Sequence, residues 1–316
     1  MAPPTESVSQ TDSNDEAAAE PGSSEPRAVS FAFLKGGTSK TTLSINTARH
    51  LAERNGEGST LFIDLDPNGH ATRNYEFGYD NTLYKSGTDL DQVLLGTKDS
   101  GPDPATLPVE TPFKFDLLPS SNEHESLEKR ISSEAAASSR LRTRLVDPLL
   151  GDEYDYIIID QPSNSGMMNN NGVVASGNIL MPMLPNGETI ESYKRTRERL
   201  IMPLEERNMD ANILAVIPNR LGARIDQETN DRVLLEAINT NERFKTLVPD
   251  FARITEEEWE KIDAGEMEPP KPGVRDTAAI TNGIEKEGVP LLDYAPENDQ
   301  NDHFDEIAAI IERGGV

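Results

Sequence analysis

The run Lys35-Gly36-Gly37-Thr38-Ser39-Lys40-Thr41-Thr42 follows directly on the apolar stretch Val29-Ser30-Phe31-Ala32-Phe33-Leu34. A strand that enters a glycine pair and leaves as a helix starting near Lys40 is a phosphate loop. The glycines let the backbone turn tightly and aim its N–H groups inward, and the helix adds its positive N-terminal end. In such a loop Lys40 reaches the β- and γ-phosphates of a nucleotide and the Thr41 hydroxyl ligates Mg²⁺, while Gly36, Gly37, Thr38, Ser39 and Thr42 complete the pocket. The strict G-x-x-x-x-G-K-[ST] pattern is not met, because Leu34 and Ser39 stand at its two glycine positions. Ser39 therefore strains the backbone if φ has to be positive there.

Downstream, apolar runs alternate with longer helical patterns. Strands are expected over 29–34, 59–64, 115–119, 154–159, 178–184 and 212–218. Helices are expected over 40–54, 88–95, 134–150, 189–207, 226–240, 275–287 and 302–313. Strand, helix, strand at this spacing implies crossover units, hence an α/β fold: a mostly parallel twisted sheet with helices on both faces, of the P-loop NTPase type. The 316 residues suit a single domain over 28–316. Residues 1–27 are Ser, Glu, Asp, Ala and Pro with little to bury, and read as a disordered acidic tail. The stretch 255–273, TEEEWEKIDAGEMEPPKPG, reads as an acidic surface insertion whose Trp259, the only tryptophan, anchors a short helix to the body.

In open parallel sheets ligands bind outside the C-terminal ends of the strands. Three carboxylates fall at such ends. Asp64 and Asp66 close the second strand in Ile63-Asp64-Leu65-Asp66-Pro67-Asn68-Gly69-His70, one to serve the water shell of Mg²⁺ and the other, Asp66, to orient an attacking water. Asp160 ends the run Tyr156-Ile157-Ile158-Ile159, where a charge is costly unless it hydrogen-bonds a metal-ligated hydroxyl or water, and Thr41 supplies one. Asn219 ends a further strand at the same edge, where an Asn commonly serves as a cap.

Several of these segments resemble one family in the same order. The octapeptide resembles the deviant Walker A motif, K-G-G-x-G-K-[ST], of the ParA/MinD ATPases, in which an extra early lysine crosses a dimer interface to touch the partner's nucleotide; Lys35 matches it. The segment 63–72 resembles switch I, D-x-D-P-Q-G-N, with Asn68 and His70 replacing Gln and Asn. The segment 155–162 resembles the Walker B element D-Y-I-x-I-D-x-P-P, with Ser163 in place of the second proline, and residues 163–172 then match the switch II loop that packs on the partner. Phe115 to Ser121 resembles L-D-L-L-P-S-S, and Asn219 matches a base-contacting Asn. Val289 to Glu297 resembles G-x-P-[LI]-L-x-Y-x-P, whose loop lies against adenine and implicates Pro296 and Glu297.

The resemblance covers about 29–313, apart from 255–273, and is closer to the ParA (Soj-like) branch than to MinD. It implies slow, partner-stimulated ATP hydrolysis with Mg²⁺, with Lys35, Lys40 and Asp66 catalytic and Thr41, Asp64 and Asp160 serving the metal, the aspartates through water. It also implies an ATP-dependent homodimer on nonspecific, nucleoid DNA and a ParB-like or other small adaptor protein. Two alternatives stay open. One is a membrane-cycling protein like MinD, although Asp302 to Arg313 carries four acids and one arginine where MinD has a basic amphipathic helix. The other is a nucleotide switch that hydrolyses poorly because of Ser39.

Formal net charge is −26, from 56 acidic and 30 basic residues, the latter 19 arginines and 11 lysines. Such a chain should repel polyanions and anionic lipid, and its composition resembles proteins of halophilic archaea adapted to multimolar salt, where the Debye length shrinks to about 3 Å. DNA contact would then require Lys194, Arg195, Arg197, Arg220, Arg224, Arg253 and Arg275 to gather into a local strip. There is no cysteine, which excludes disulfides, thiolate zinc sites and iron–sulfur clusters, and His50, His70, His124 and His303 lack ligand spacing. No run of 18 apolar residues and no signal-peptide pattern is found, so a cytoplasmic protein without a membrane anchor is expected.

Overall fold

Eight strands form one sheet in the computed structural model, which describes residues 25–75, 82–86, 89–96, 101–121, 123–222, 225–227 and 229–316. They are β1 (Arg27–Phe31), β2 (Thr60–Asp64), β3 (Val109–Glu110), β4 (Asp116–Leu118), β5 (Tyr156–Asp160), β6 (Asn178–Met183), β7 (Asn212–Leu221) and β8 (Val274–Arg275). Their order across the sheet is β3-β4-β2-β5-β1-β6-β7-β8, and every neighbouring pair is parallel except β3 with β4.

The central strands read as unbroken apolar runs because both of their faces are covered. Val29, Phe31, Phe62, Tyr156 and Ile158 point to one side, where helices Lys40–Asn55 and Gln300–Arg313 bring Leu43, Leu51, Phe304 and Ile307. The alternate residues Leu61, Ile63, Ile157 and Ile159 point to the other, against Leu127, Ile131 and Met168. Farther along that second side, Ile179, Met181 and Val216 meet Tyr193, Leu200 and Leu235. Phe31 and Asp64 both pair in register with Asp160, which aligns the C-terminal ends of β1, β2 and β5 at one edge.

Several element boundaries differ from the expectation. The range 134–150, expected as one helix, holds a 3₁₀ turn at Ala137–Ser139 and a widened turn at Arg142–Val146 that runs into Asp147–Leu149, and the helix His124–Ile131 before it was not expected. Pro148, lacking an N–H, sits in the first turn of that last segment, where an amide hydrogen is dispensable. The expected helix over 275–287 begins as strand β8, restarts at Ala278–Asn282 under a Thr277 cap and ends in a wide turn at Gly283–Glu287. The helix expected from 226 starts at Asn230, where the Thr229 side chain accepts from the Arg232 N–H. Two-residue strands such as β3 and β8 are too short to carry a period. Residues 1–24 of the expected tail, and Arg224, lie outside the described residues. No helix among the described residues is long and apolar enough to cross a membrane.

The acidic stretch 255–273 is anchored through helix Glu256–Ala264, which opens with a capping box between Thr255 and Glu258. Its Trp259 and Ile262 are buried in the core formed by β6, β7 and their helices. The Arg232 guanidinium lies 4.6 Å from the Trp259 ring centroid and also pairs with Asp263 at 2.6 Å. Burial plus a cation over the ring makes Trp259 the anchor of this segment. Trp259→Ala is expected to cost about 3 kcal/mol, read by urea denaturation followed by far-UV circular dichroism, since the variant has no tryptophan fluorescence. A loss below about 1 kcal/mol would mean the segment is held by other contacts.

Candidate nucleotide site

The loop between β1 and helix Lys40–Asn55 is shaped by two left-handed residues. Gly37 has φ 72°, which glycine adopts without cost, and Ser39 has φ 57° and ψ 37°. The strain expected at Ser39 is therefore present, at about 1 kcal/mol for a residue with a Cβ. Backbone ties hold the loop: the Asn219 amide donates to the Thr38 carbonyl at 2.9 Å, and the Leu34 N–H donates to Thr196 Oγ1 at 3.1 Å. A cavity of about 670 Å³ opens over this loop and is lined by Gly36 to Thr42, Asp66 to Asn68, His70 and Gln161 to Asn164. That volume suits a nucleotide-sized ligand.

Lys40 is 6% exposed on the cavity wall. Its Nζ donates to Ser163 Oγ at 2.8 Å and, at 3.4 Å, to the Phe33 carbonyl. Burial lowers its pKa, opposed by the nearby Asp160 and Asp66. Behind it, the Thr41 hydroxyl donates to Asp160 Oδ2 at 2.6 Å, while Asp160 Oδ1 is buried without a partner. Burial, then the facing Asp64, pushes the Asp160 carboxyl up to about 7.

Asp66 lies on the cavity wall with Oδ1 accepting from the Asn68 N–H and side-chain amide, both at 2.9 Å, and Oδ2 3.8 Å from His70 Nδ1. Asp64 differs. It is fully buried, its Oδ2 accepts from the Thr72 N–H at 2.9 Å and the Thr72 hydroxyl at 2.7 Å, and it does not line the cavity. Its pKa is also pushed up to about 7, chiefly by burial. Asp64 thus faces Asp160 across the strand pair, and neither carboxylate lines the cavity.

The other expected residues divide. Gly36, Gly37, Thr38, Ser39, Lys40, Thr41, Thr42 and Asp66 come together around one cavity. Asn219 lies in an adjoining cavity of about 230 Å³, with Val274, Ile280 and Ile284 forming its apolar part. Pro296 and Glu297 line neither cavity; they fall in the turn before helix Gln300–Arg313, where the Pro296 carbonyl accepts from Asn301. Residues between 274 and 284 line the smaller cavity. Lys35 is turned away from its own cavity, its Nζ donating to Asn186 Oδ1 and Glu188 Oε2, each at 3.1 Å.

Five of the seven basic residues expected to form a DNA strip are individually paired with acids. Arg220 meets Asp276 at 3.1 Å, Arg253 meets Asp250 at 3.2 Å and Arg275 meets Asp299 at 2.9 Å. Lys194 and Arg197 are each 3.7 Å from a glutamate. Arg220 and Arg275 belong to the wall of the smaller cavity.

Sequence reasoning missed the polar layer beneath switch I. Ser120 Oγ donates to the Asp66 carbonyl at 2.6 Å and lies 3.1 Å from His124 Nδ1. With the Ser120 proton committed, Nδ1 is the donor, and burial holds the imidazole neutral by pushing its pKa down to about 4. The switch II stretch is also more ordered than a polar loop, because Met167–Ser176 is a helix. The signal for both lay in polar residues at apolar-looking positions, Ser120, His124 and Asn169.

A doubly covered parallel sheet with a phosphate loop at the C-terminal end of its central strand defines a nucleotide-binding P-loop protein. The profile of the AAA_31 family, an AAA domain, matches residues 26–198, more than half of the chain, and the chain belongs to that family. The chromosome partitioning protein ParA of Myxococcus xanthus is 25% identical over 230 residues, spanning 73% of this chain and 77% of that protein. The sporulation initiation inhibitor protein Soj of Bacillus subtilis is 24% identical over 229 residues, spanning 72% and 86%. In fold, apo McdA of Cyanothece matches with a TM-score of 0.66 at 19% identity, covering 90% of this chain and 98% of that one. A plasmid partition protein of Borrelia burgdorferi bound to AMPPNP matches with a TM-score of 0.60 at 19% identity, covering 90% and 98%.

The raised carboxyls give the site a pH signature. A carboxyl whose folded pKa lies above its unfolded value binds more protons folded than unfolded between the two, so stability falls as pH rises from about 4 to about 7. Without nucleotide or Mg²⁺, Asp160→Asn is expected to match wild type near pH 4 and to exceed it by 1 kcal/mol or more at pH 8, to order of magnitude. Urea denaturation at both pH values measures this. Equal pH slopes in the two proteins would show that Asp160 is not held in a proton-favouring site.

Proposed function

We propose that this protein is an ATPase of the partition type, which binds ATP with Mg²⁺, dimerises around it and hydrolyses it to reset. The single observation that carries the reading is the convergence of Lys40, Asp66 and Thr41, the last held from behind by Asp160, on one cavity. The donor set fits Mg²⁺, a hard cation that takes oxygen ligands: the Thr41 hydroxyl lies next to an Asp160 oxygen that is buried and unpartnered. No group of three or more His, Cys, Asp or Glu among the described residues could cage an ion, so phosphate and water oxygens would complete the shell.

When bound, the metal supplies charge neutralisation at the phosphate oxygens. Lys40 adds a positive charge to the same phosphates, and the loop N–H groups hold them in place. Asp66 orients the attacking water with Oδ2, its Oδ1 being fixed by Asn68. Lys35 acts on a second subunit's nucleotide, since it does not line its own cavity and its tether to exposed Glu188 is weak. Asp64 acts one step back, held by Thr72.

The cargo reading follows the relatives. The ATP-bound dimer is proposed to hold nonspecific DNA on the nucleoid, with a ParB-like or other small adaptor protein stimulating hydrolysis. Counterion release makes such binding fall steeply with salt, and the acid-paired arginines predict weak binding in this chain.

Two variants separate binding from turnover. Lys40→Ala is expected to lose ATP binding, whereas Asp66→Ala binds ATP, hydrolyses it at least tenfold more slowly, a modest general-base effect, and accumulates on immobilised duplex DNA in ATP at low salt. Phosphate release and DNA retention measured together are the check. Parental turnover in Asp66→Ala removes Asp66 from the water, and a wild type that retains no DNA at any salt removes the nucleoid role.

A further inference from the structure

Ser163 is the first residue beyond the Walker B strand whose side chain touches the phosphate-binding lysine. Its Oγ accepts from Lys40 Nζ at 2.8 Å, and it lines the same cavity as the phosphate loop. It lies directly beside that loop: a Cβ placed on Gly36 would lie 3.9 Å from the Ser163 hydroxyl. A hydroxyl that accepts from an ammonium still has its own proton to donate. Lys40 and Ser163 therefore form a two-donor unit in which the lysine brings charge and the serine a directional O–H.

The serine is held from behind. Asn169, fully buried on helix Met167–Ser176, donates through its amide to the Pro162 carbonyl at 2.9 Å and the Asn164 carbonyl at 2.7 Å, clamping the backbone on both sides of Ser163. Gln161 packs against the same asparagine; with its side-chain amide turned to the orientation its neighbours satisfy, it donates to the Asn169 carbonyl at 3.1 Å and accepts from the Val173 N–H at 3.1 Å. Gly172 permits this, since a Cβ there would meet the Gln161 amide at 2.5 Å. A hydroxyl on a doubly clamped backbone loses little entropy on meeting a ligand.

Ser163 is carried on the segment that continues from Asp160 and lines the cavity beside Gly36 and Lys40, where a loop lysine meets the outer phosphates of a nucleotide. We infer that the Ser163 hydroxyl is a γ-phosphate ligand that sets the preference of this site for a nucleoside triphosphate over a diphosphate. The inference rests on the ATPase reading above and adds a residue to it. Through the Asn169 clamp, the same contact ties the terminal phosphate to helix Met167–Ser176.

Competition against a fluorescent diphosphate analogue, with Mg²⁺, measures affinities for ADP and AMPPNP in wild type, Ser163→Ala and Ser163→Thr. Ser163→Ala is expected to weaken AMPPNP about tenfold, as for one hydrogen bond to a charged group, with ADP unchanged within a factor of two, and Ser163→Thr is expected to restore AMPPNP. Equal loss of both nucleotides would make Ser163 a general prop for Lys40, and loss of neither would make its hydroxyl irrelevant; either overturns the inference. A wild type that binds neither nucleotide overturns the ATPase reading itself, a result distinct from both.

Discussion

Two carboxylates, Asp64 and Asp160, end adjacent parallel strands in register, and both are fully buried. Like charges that close and dry cannot both be ionised cheaply, so the surroundings must answer them. Asp64 is answered within the fold by the Thr72 N–H and hydroxyl. Asp160 is answered on one oxygen by Thr41 and, at a greater distance, by the Lys40 ammonium. Its other oxygen has no partner. The arrangement concentrates unmet negative charge beside a loop that gathers positive charge, and the remaining contacts of the cavity arrange themselves around that imbalance.

That imbalance also orders the switch segments. The Asp66 carbonyl is fixed by both the Gly69 N–H and the Ser120 hydroxyl, at 2.7 and 2.6 Å. Ser163 is fixed through Asn169. Both switches are thus tied by buried polar residues to the sheet or its helices, and a ligand that pulls on Lys40 or Asp66 pulls on packed structure. The lysine excluded from this economy is Lys35, tethered to Asn186 and the exposed carboxylate of Glu188. An ion pair with so exposed a partner is weak and easily exchanged.

The parts of this arrangement written in local sequence were legible. The phosphate loop, β1, β2, β5, β6 and the closing helix follow from apolar period and glycine placement, and Lys40, Thr41, Asp66 and Asp160 meet where strand ends must meet. What was not legible depends on contacts far along the chain. Asp64 reads like Asp66 until Thr72 is seen to occupy it. The small cavity, lined by residues of 274–284, depends on β8, which at two residues is too short to be read from a period. The abundance of arginine, read from composition as a mark of salt adaptation, also has a use in packing. Arg54 holds Asp305 and Glu312, Arg49 holds Glu53 and Asp293, and the fork of each guanidinium binds the first helix to the C-terminal part of the chain.

The central claim is that this cavity is completed by a second copy of the chain through Lys35. Sedimentation velocity with Mg²⁺ and AMPPNP, on wild type and on Lys35→Ala, tests it most directly, with ADP affinity measured on the same samples. The account predicts a wild-type dimer in AMPPNP, a monomer for Lys35→Ala, and ADP affinities that agree within a factor of about two, because Lys35 does not line its own cavity. A Lys35→Ala protein that dimerises as wild type does, or that loses ADP binding along with the dimer, would contradict it.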